Sequence, residues 1–342
     1  MTAAVAAVPT PAARRPDPWR AGAHPGSIIF STPEQPPAMW GHRGEVLWAE
    51  GESLLLVGTP GVGKTTLAGQ LLRGRLGLSD DLLGYPIRAT SSRVLYLAMD
   101  RPGQVVRSLR RQFHHTDERV LADRLVIWKG PPPVDLAQDD GALLRLAEIH
   151  GADTVVVDSL KDAAVGLTED IVGAAYNRAR QVALAAGVQV LELHHTTKRG
   201  PNGAKPTALA DVYGSAWITA GAGSVLMLIG DAGDPVVSMH HLKQPAEVVG
   251  PLTLQHDAAH GSTTVVGDTD PRTLLRASGA RGVTAKTLAE ALFGTPDRNA
   301  IEKARRKLDA LVRAGAAVKV PDPSHTSGGT PESVYVIPDK AA

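Results

Sequence analysis

Eight consecutive residues, Gly58-Thr59-Pro60-Gly61-Val62-Gly63-Lys64-Thr65, satisfy the pattern G-x4-G-K-S/T, a spacing suited to holding phosphate. The glycines let successive backbone N–H groups curve around an anion at a helix N-terminus, where the helix dipole favours negative charge. Lys64 brings a point charge to the β and γ phosphates, and the Thr65 hydroxyl is a candidate ligand for magnesium. Thr66 completes the candidate cofactor-binding set. A glycine-rich turn with a chance lysine would look the same over these eight positions alone, so the flanks decide. Ser53–Val57 is a short apolar run that reads as a buried strand, and Thr65–Leu76 carries Leu67 and Leu71 one helical turn apart. Strand, loop and helix in that order predict a nucleoside triphosphate site.

Such a site needs a carboxylate near the metal. Thr154-Val155-Val156-Val157-Asp158-Ser159 supplies one at the end of an apolar run, and ligands in open α/β sheets bind at the carboxyl ends of strands. Asp158 therefore reads as a Walker-B-type acid for magnesium; the alternative is an Asp that caps the next helix. Hydrolysis also needs a group to orient water. Val94–Met99 is a second buried run ending in a carboxylate, Asp100, which is the candidate for that role. The competing reading makes Asp100 a turn residue ahead of Arg101-Pro102-Gly103. A third run, Val188–Leu193, ends in His194-His195-Thr196-Thr197-Lys198, where a polar side chain can sense the γ-phosphate. Adjacent strand residues point to opposite faces, which argues against the histidine pair as a metal site. The stretch from Thr196 to Ser215 is Gly/Pro-rich and basic, and Lys198, Arg199 and Lys205 make it a candidate nucleic-acid loop or a plain flexible connection.

The elements that must position these residues follow from the pattern of apolar runs. Glu45–Trp48, the P-loop strand, Val94–Met99, Leu125–Trp128, Thr154–Val157, Val188–Leu193, Val225–Ile229, Val236–Met239 and Leu252–Leu254 read as strands. Helix-patterned stretches at 104–113, 141–150 and 172–186 separate the earlier ones. The fold class is α/β, a mainly parallel twisted sheet covered on both faces, with an antiparallel edge where later strands have no helices between them. Residues 1–27 are Ala/Pro/Arg-rich without periodicity and read as a disordered arm; 28–265 form the expected core domain. Residues 271–342 read as helix, helix, helix and a two-stranded wing, the order of a winged helix.

Charge is shared unevenly. Residues 271–342 carry 12 Lys and Arg against 7 Asp and Glu, whereas the whole chain is near neutral at +1. This makes the C-terminal piece a candidate for polyanion contact, the alternative being a solvated helix face. Arg298, Arg305 and Arg306, on the helix expected over 297–314, are spaced to meet DNA phosphates or base edges. Cysteine is absent, so disulfides and Cys-based zinc sites are excluded, in keeping with a reducing cytosol. No run approaches the roughly 18 apolar residues of a membrane span. The expected setting is cytoplasmic, with no membrane partner.

With these residues in place, the chain resembles the RecA-type branch of P-loop ATPases, close to the RepA-like AAA-family helicases. GTPGVGKTT, VLYLAMD, TVVVDSL, LELHHTTK and YGSAWITAGAGSVLML occur in the family's order and cover about Trp40 to Asp257. The resemblance implies a RecA-like core, ATP and Mg2+ as cofactors, and ring-shaped homo-oligomers, often hexamers, on nucleic acid. It carries Lys64 and Thr65 over as nucleotide and magnesium residues, Asp158 as the Walker B acid and His195 as the γ-phosphate sensor. Two departures stand out. The position usually held by glutamate is Asp100, one methylene shorter. The Lys-x-Arg pair that reaches the neighbouring subunit's nucleotide is Lys243-Gln244-Pro245, leaving Lys243 as the trans-acting candidate.

The expected function is Mg-ATP hydrolysis acting on DNA, in replication, recombination or mobile-element maintenance, with helicase action within its range. The alternatives are a nucleotide-gated DNA-binding regulator and an ATP-dependent protein-interaction scaffold.

Overall fold

The chain is described by a computed structural model over residues 23–197, 206–266, 271–293, 296–313, 315–321 and 333–338. Of the expected arm, residues 1–22 lie outside these limits; a single exposed turn, α1 (Ile28–Ser31), precedes the first strand.

Two tryptophans organise the entry to the core. Strands β1 (Ala38–His42) and β2 (Glu45–Ala49) pair antiparallel with Trp40 opposite Trp48, and both indoles are fully buried. The expected strand at 45–48 thus belongs to a separate hairpin, because its partner is the unforeseen strand just before it. Next comes β3 (Leu54–Gly58), buried at every position, and then helix α2 (Lys64–Arg75). A small hairpin of β4 (Asp81–Leu82) and β5 (Tyr85–Pro86) follows. Alternation then takes over: β6 (Arg93–Ala98), α3 (Pro102–Arg110), α4 (Glu118–Arg124), β7 (Leu125–Lys129), α5 (Ala142–His150), β8 (Ala152–Asp158), α6 (Leu160–Ala163), α7 (Asp170–Ala185) and β9 (Gln189–His194). After α8 (Ala216–Ala220) come β10 (Ser224–Ile229), β11 (Val236–Lys243), β12 (Leu252–Asp257) and β13 (Ser262–Val265).

Nine strands form one sheet in the order β13-β12-β11-β10-β3-β9-β8-β6-β7. From β10 to β7 all neighbours are parallel, and β11, β12 and β13 extend the other side antiparallel. The antiparallel edge is therefore narrower than the absence of helices implied. β10 runs parallel to β3, since the stretch from β9 through α8 is long enough for a crossover. Apolar side chains cover both faces of the sheet in two clusters. One joins Leu54, Leu56, Leu67, Leu71 and Leu228; the other joins Leu55, Val57, Leu143, Val155 and Met227. Burial on both faces is why the central strands read as unbroken apolar runs.

The C-terminal residues run α9 (Pro271–Ser278), β14 (Val283–Thr284), α10 (Ala285–Phe293), α11 (Arg298–Arg313), β15 (Val318–Pro321) and β16 (Ser333–Val336), with sheet order β14-β16-β15. They have their own small core around Leu275, Leu288, Ala304, Leu308 and Tyr335. The Thr284 hydroxyl accepts from Thr287 N–H at 3.0 Å, anchoring the start of α10. Arg272 ties this region to the larger sheet domain through Glu45 at 3.3 Å and Glu247 at 3.4 Å.

Candidate nucleotide-binding site

The P-loop sits between the central strand and a helix N-terminus because its glycines take conformations other residues avoid. Gly61 and Gly63 have φ of +78° and +101°, and Gly63 caps α2. A side chain at Gly63 would collide with His256 of β12, whose Nε2 lies 3.1 Å from the Val62 carbonyl. The His256 Nδ1 in turn meets the Thr263 hydroxyl at 2.8 Å. The Thr59 hydroxyl donates to Gly230 O at 3.1 Å, and Gly233 N–H donates to Gly61 O at 3.2 Å. The antiparallel extension thus braces the loop from below, a role for His256 that sequence reading missed. No motif marks it; only the register of β12 brings it there.

Lys64 is buried, and its ammonium donates to Gly58 O at 2.7 Å and Thr59 O at 2.9 Å. Burial lowers its pKa to about 8, opposed by the charge of Asp158. Asp158 ends β8, which is separated from β3 only by β9, and its carboxylate accepts from the Tyr96 hydroxyl at 2.7 Å. Burial pushes the Asp158 carboxyl up, while Tyr96, Lys64 and the Thr65 hydroxyl pull it back. It does not cap the following helix; Ser159 takes the N-cap position of α6. The Thr65 hydroxyl is within hydrogen-bond reach of the Asp158 carboxylate, so these two residues would hold a magnesium ion, which would supply positive charge beside a bound phosphate.

One cavity of about 490 Å3 gathers the candidates: Pro60, Gly61, Gly63, Lys64, Thr65, Thr66, Asp100, Asp158 and His195 all line it. Gly58, Thr59 and Val62 are not among its lining residues; the first two give their carbonyls to the Lys64 ammonium, and the Val62 carbonyl faces His256. Asp100 is half-exposed, with Arg101 Nε 3.6 Å from its carboxylate, and Pro102 starts α3 directly behind. The geometry accommodates both readings of Asp100, a cavity group and a turn residue. His195 follows β9, and burial together with Lys64 and Lys161 lowers its pKa to about 4, so its imidazole is neutral at physiological pH. Its Nδ1 is buried with no hydrogen-bond partner among the described residues. His194 points away: it is fully buried, with Nε2 2.7 Å from Tyr213 O. The strand alternation separates the pair as expected. Arg101, Arg107, Arg111 and Lys161 also line the cavity, so with Lys64 five cations face two carboxylates. Such a surplus suits a polyanion.

Behind β9 lies a second feature that sequence reading missed. Arg180 and Glu192 form a fully buried ion pair at 2.9 Å, joined by the Tyr176 hydroxyl at 2.5 Å from the same carboxylate oxygen. Arg180 also donates to Ile218 O at 3.1 Å, linking α7, β9 and α8. Glu192 within an apolar strand was the available signal.

The remaining candidates are apart from this cavity. Lys243 lies on β11 at the amino end of the parallel strands, level with Val225 and Leu55, and its ammonium donates to Thr219 O at 3.2 Å and Ala220 O at 2.7 Å. Arg298, Arg305 and Arg306 are exposed on α11, where Arg305 and Arg306 both reach Glu302, at 3.0 and 3.5 Å. Lys198, Arg199 and Lys205 lie outside the described residues.

Among the described residues, no helix is long and apolar enough to cross a membrane. Comparison with curated proteins gives no match. The profile of the AAA domain, in contrast, matches residues 20–201, more than half of the chain and the whole span from the tryptophan hairpin to His195. On that match, and with its mostly parallel sheet and phosphate loop, the chain belongs to the AAA domain family of P-loop ATPases.

Proposed function

We propose that this protein is a magnesium-dependent ATPase with a RecA-like core of the RepA-like kind, which uses ATP turnover to act on DNA. One observation carries the reading: residues from four separate elements, the P-loop, Asp100, Asp158 and His195, line the same cavity. In this reading the loop amides and Lys64 bind the phosphates, and Thr65 with Asp158 hold magnesium, which when bound neutralises phosphate charge. Asp100 orients water, and the neutral His195 imidazole contacts the terminal phosphate and relays its presence to the segment after β9.

The DNA contact is assigned to the C-terminal unit, read as a winged helix with α11 as the groove-entering element. Its element order, and the exposure of Arg298, Arg305 and Arg306, support this. The basic loop containing Lys198, Arg199 and Lys205 is a second contact in the same reading. A second reading, the nucleotide-gated DNA-binding regulator, is favoured by one feature: the short Asp100 carboxylate shares its charge with Arg101.

ATPase rate measured with and without single- and double-stranded DNA, alongside a mass measurement, separates the two. DNA-stimulated turnover is the expected result, and the mass tests the homo-oligomer, up to a hexamer, that the resemblance implies. DNA binding that depends on ATP without turnover would replace this reading with the regulator.

A further inference from the structure

Helix α3 turns one face toward the P-loop cavity. Gln104, Arg107, Ser108 and Arg111 recur at i, i+3, i+4 and i+7, the spacing of a single helical face, and all four line that cavity. Arg107 and Arg111 are exposed, and among the described residues neither has a carboxylate partner; the nearest polar contact of Arg111 is the Ser108 hydroxyl at 3.5 Å. By contrast, Arg73 and Arg178 of the same domain are each paired with a carboxylate, Asp117 at 2.9 Å and Asp140 at 2.8 Å. Two like charges one helical turn apart destabilise each other, and a bound anion between them removes that repulsion.

Position 245 is proline, and the Lys243 ammonium is engaged by the carbonyls of Thr219 and Ala220 in its own chain. Lys243 is thus a poor source of positive charge for a neighbour's terminal phosphate, whereas α3 already carries two guanidinium groups into the cavity of its own chain. We propose that Arg107 and Arg111 contact the terminal phosphate of the nucleotide within the same subunit, so that each subunit completes its own site. This rests on the triphosphate reading given above. Guanidinium groups form strong, directional hydrogen bonds to phosphate oxygens. Placed here they would distinguish a triphosphate from a diphosphate.

The test compares ADP with a non-hydrolysable ATP analogue on the full chain, at a concentration where a mass measurement shows single subunits. In the Arg107→Ala/Arg111→Ala variant, affinity for the analogue should fall about 10- to 100-fold, the size of one or two charge-assisted hydrogen bonds, with ADP affinity nearly unchanged. Both side chains are exposed, so the melting temperature of the free variant should match the parent, and the Arg→Lys pair should recover part of the loss. Equal losses for both nucleotides, or none, would overturn the proposal, as would a parent protein that does not prefer the analogue over ADP. Mixing the double variant with Lys64→Ala supplies an independent check: turnover that appears only in the mixture would place these arginines in a neighbour's site and refute the assignment. A parent that binds both nucleotides without hydrolysing ATP would end the ATPase reading, while the affinity ratio would still decide this one.

Discussion

Lys64 is held between two opposing demands. Its ammonium is removed from water, which lowers its pKa to about 8, yet it is charged at neutral pH because two loop carbonyls and Asp158 favour the cation. Lys64→Ala should leave the fold intact and abolish stabilisation by nucleotide, a loss read directly as an absent thermal shift on adding ATP. The sign of the pH effect follows from the same balance. Phosphate prefers the charged lysine, so ATP affinity should stay flat below pH 8 and weaken as Lys64 loses its proton above it, by up to about tenfold per pH unit. Titrating affinity from neutral to alkaline pH tests this; an affinity that stays flat well above pH 8 would remove Lys64 from the phosphate contact. Asp158→Asn keeps the shape and the Tyr96 partner while deleting a charge. It should remove the magnesium dependence of turnover more than nucleotide binding itself, as compared in matched binding and rate measurements.

At the level of elements, the phosphate loop is only as well placed as the strands that brace it. β12 sends His256 under Val62 and Gly63, although it lies three strands from β3 in the sheet. His256→Ala should lower stability by about 1 kcal/mol through its missing hydrogen bonds, and should loosen nucleotide binding without touching any phosphate contact. Gly63→Ala should do more damage, since it combines a positive φ of +101° with a collision against His256. Unfolding in denaturant should rank the two in that order; equal effects would mean the loop adapts to the side chain. The buried Arg180–Glu192 pair is a different kind of brace. Arg180→Met should cost about 3–5 kcal/mol, because it strands the Glu192 carboxylate in an apolar interior beneath β9. Much of that loss should return when Glu192→Leu is combined with it, a comparison that a double-mutant cycle makes quantitative.

At the scale of the whole molecule, two unlike charge distributions sit on separate elements. The nucleotide cavity lies at the carboxyl ends of the parallel strands, while the net positive charge of residues 271–342 is concentrated on the surface of α11. In the full chain, Arg305→Ala/Arg306→Ala should weaken duplex DNA binding and flatten its dependence on salt, by about one unit of slope for each phosphate that is no longer neutralised. Binding titrations across a salt series check it. An unchanged slope would make α11 a protein-docking or assembly element, a role compatible with Glu302 holding both arginines.

The sequence by itself determined the parts whose cause is local. The P-loop follows from glycine freedom and fixed spacing, and the parallel strands follow from apolar runs too continuous to be half-exposed. The acids Asp100 and Asp158 follow from their places at strand ends. The tertiary structure alone decided what depends on partners distant in the chain. Trp40 and Trp48 pair in a hairpin because a strand precedes the expected one, and β10 turns parallel because its crossover is long enough. Asp158 meets Tyr96 and Thr65, His256 reaches Val62, and Arg107 and Arg111 come to line the P-loop cavity. Each of these is set by strand order and register, which bring together residues that no periodicity along the chain connects.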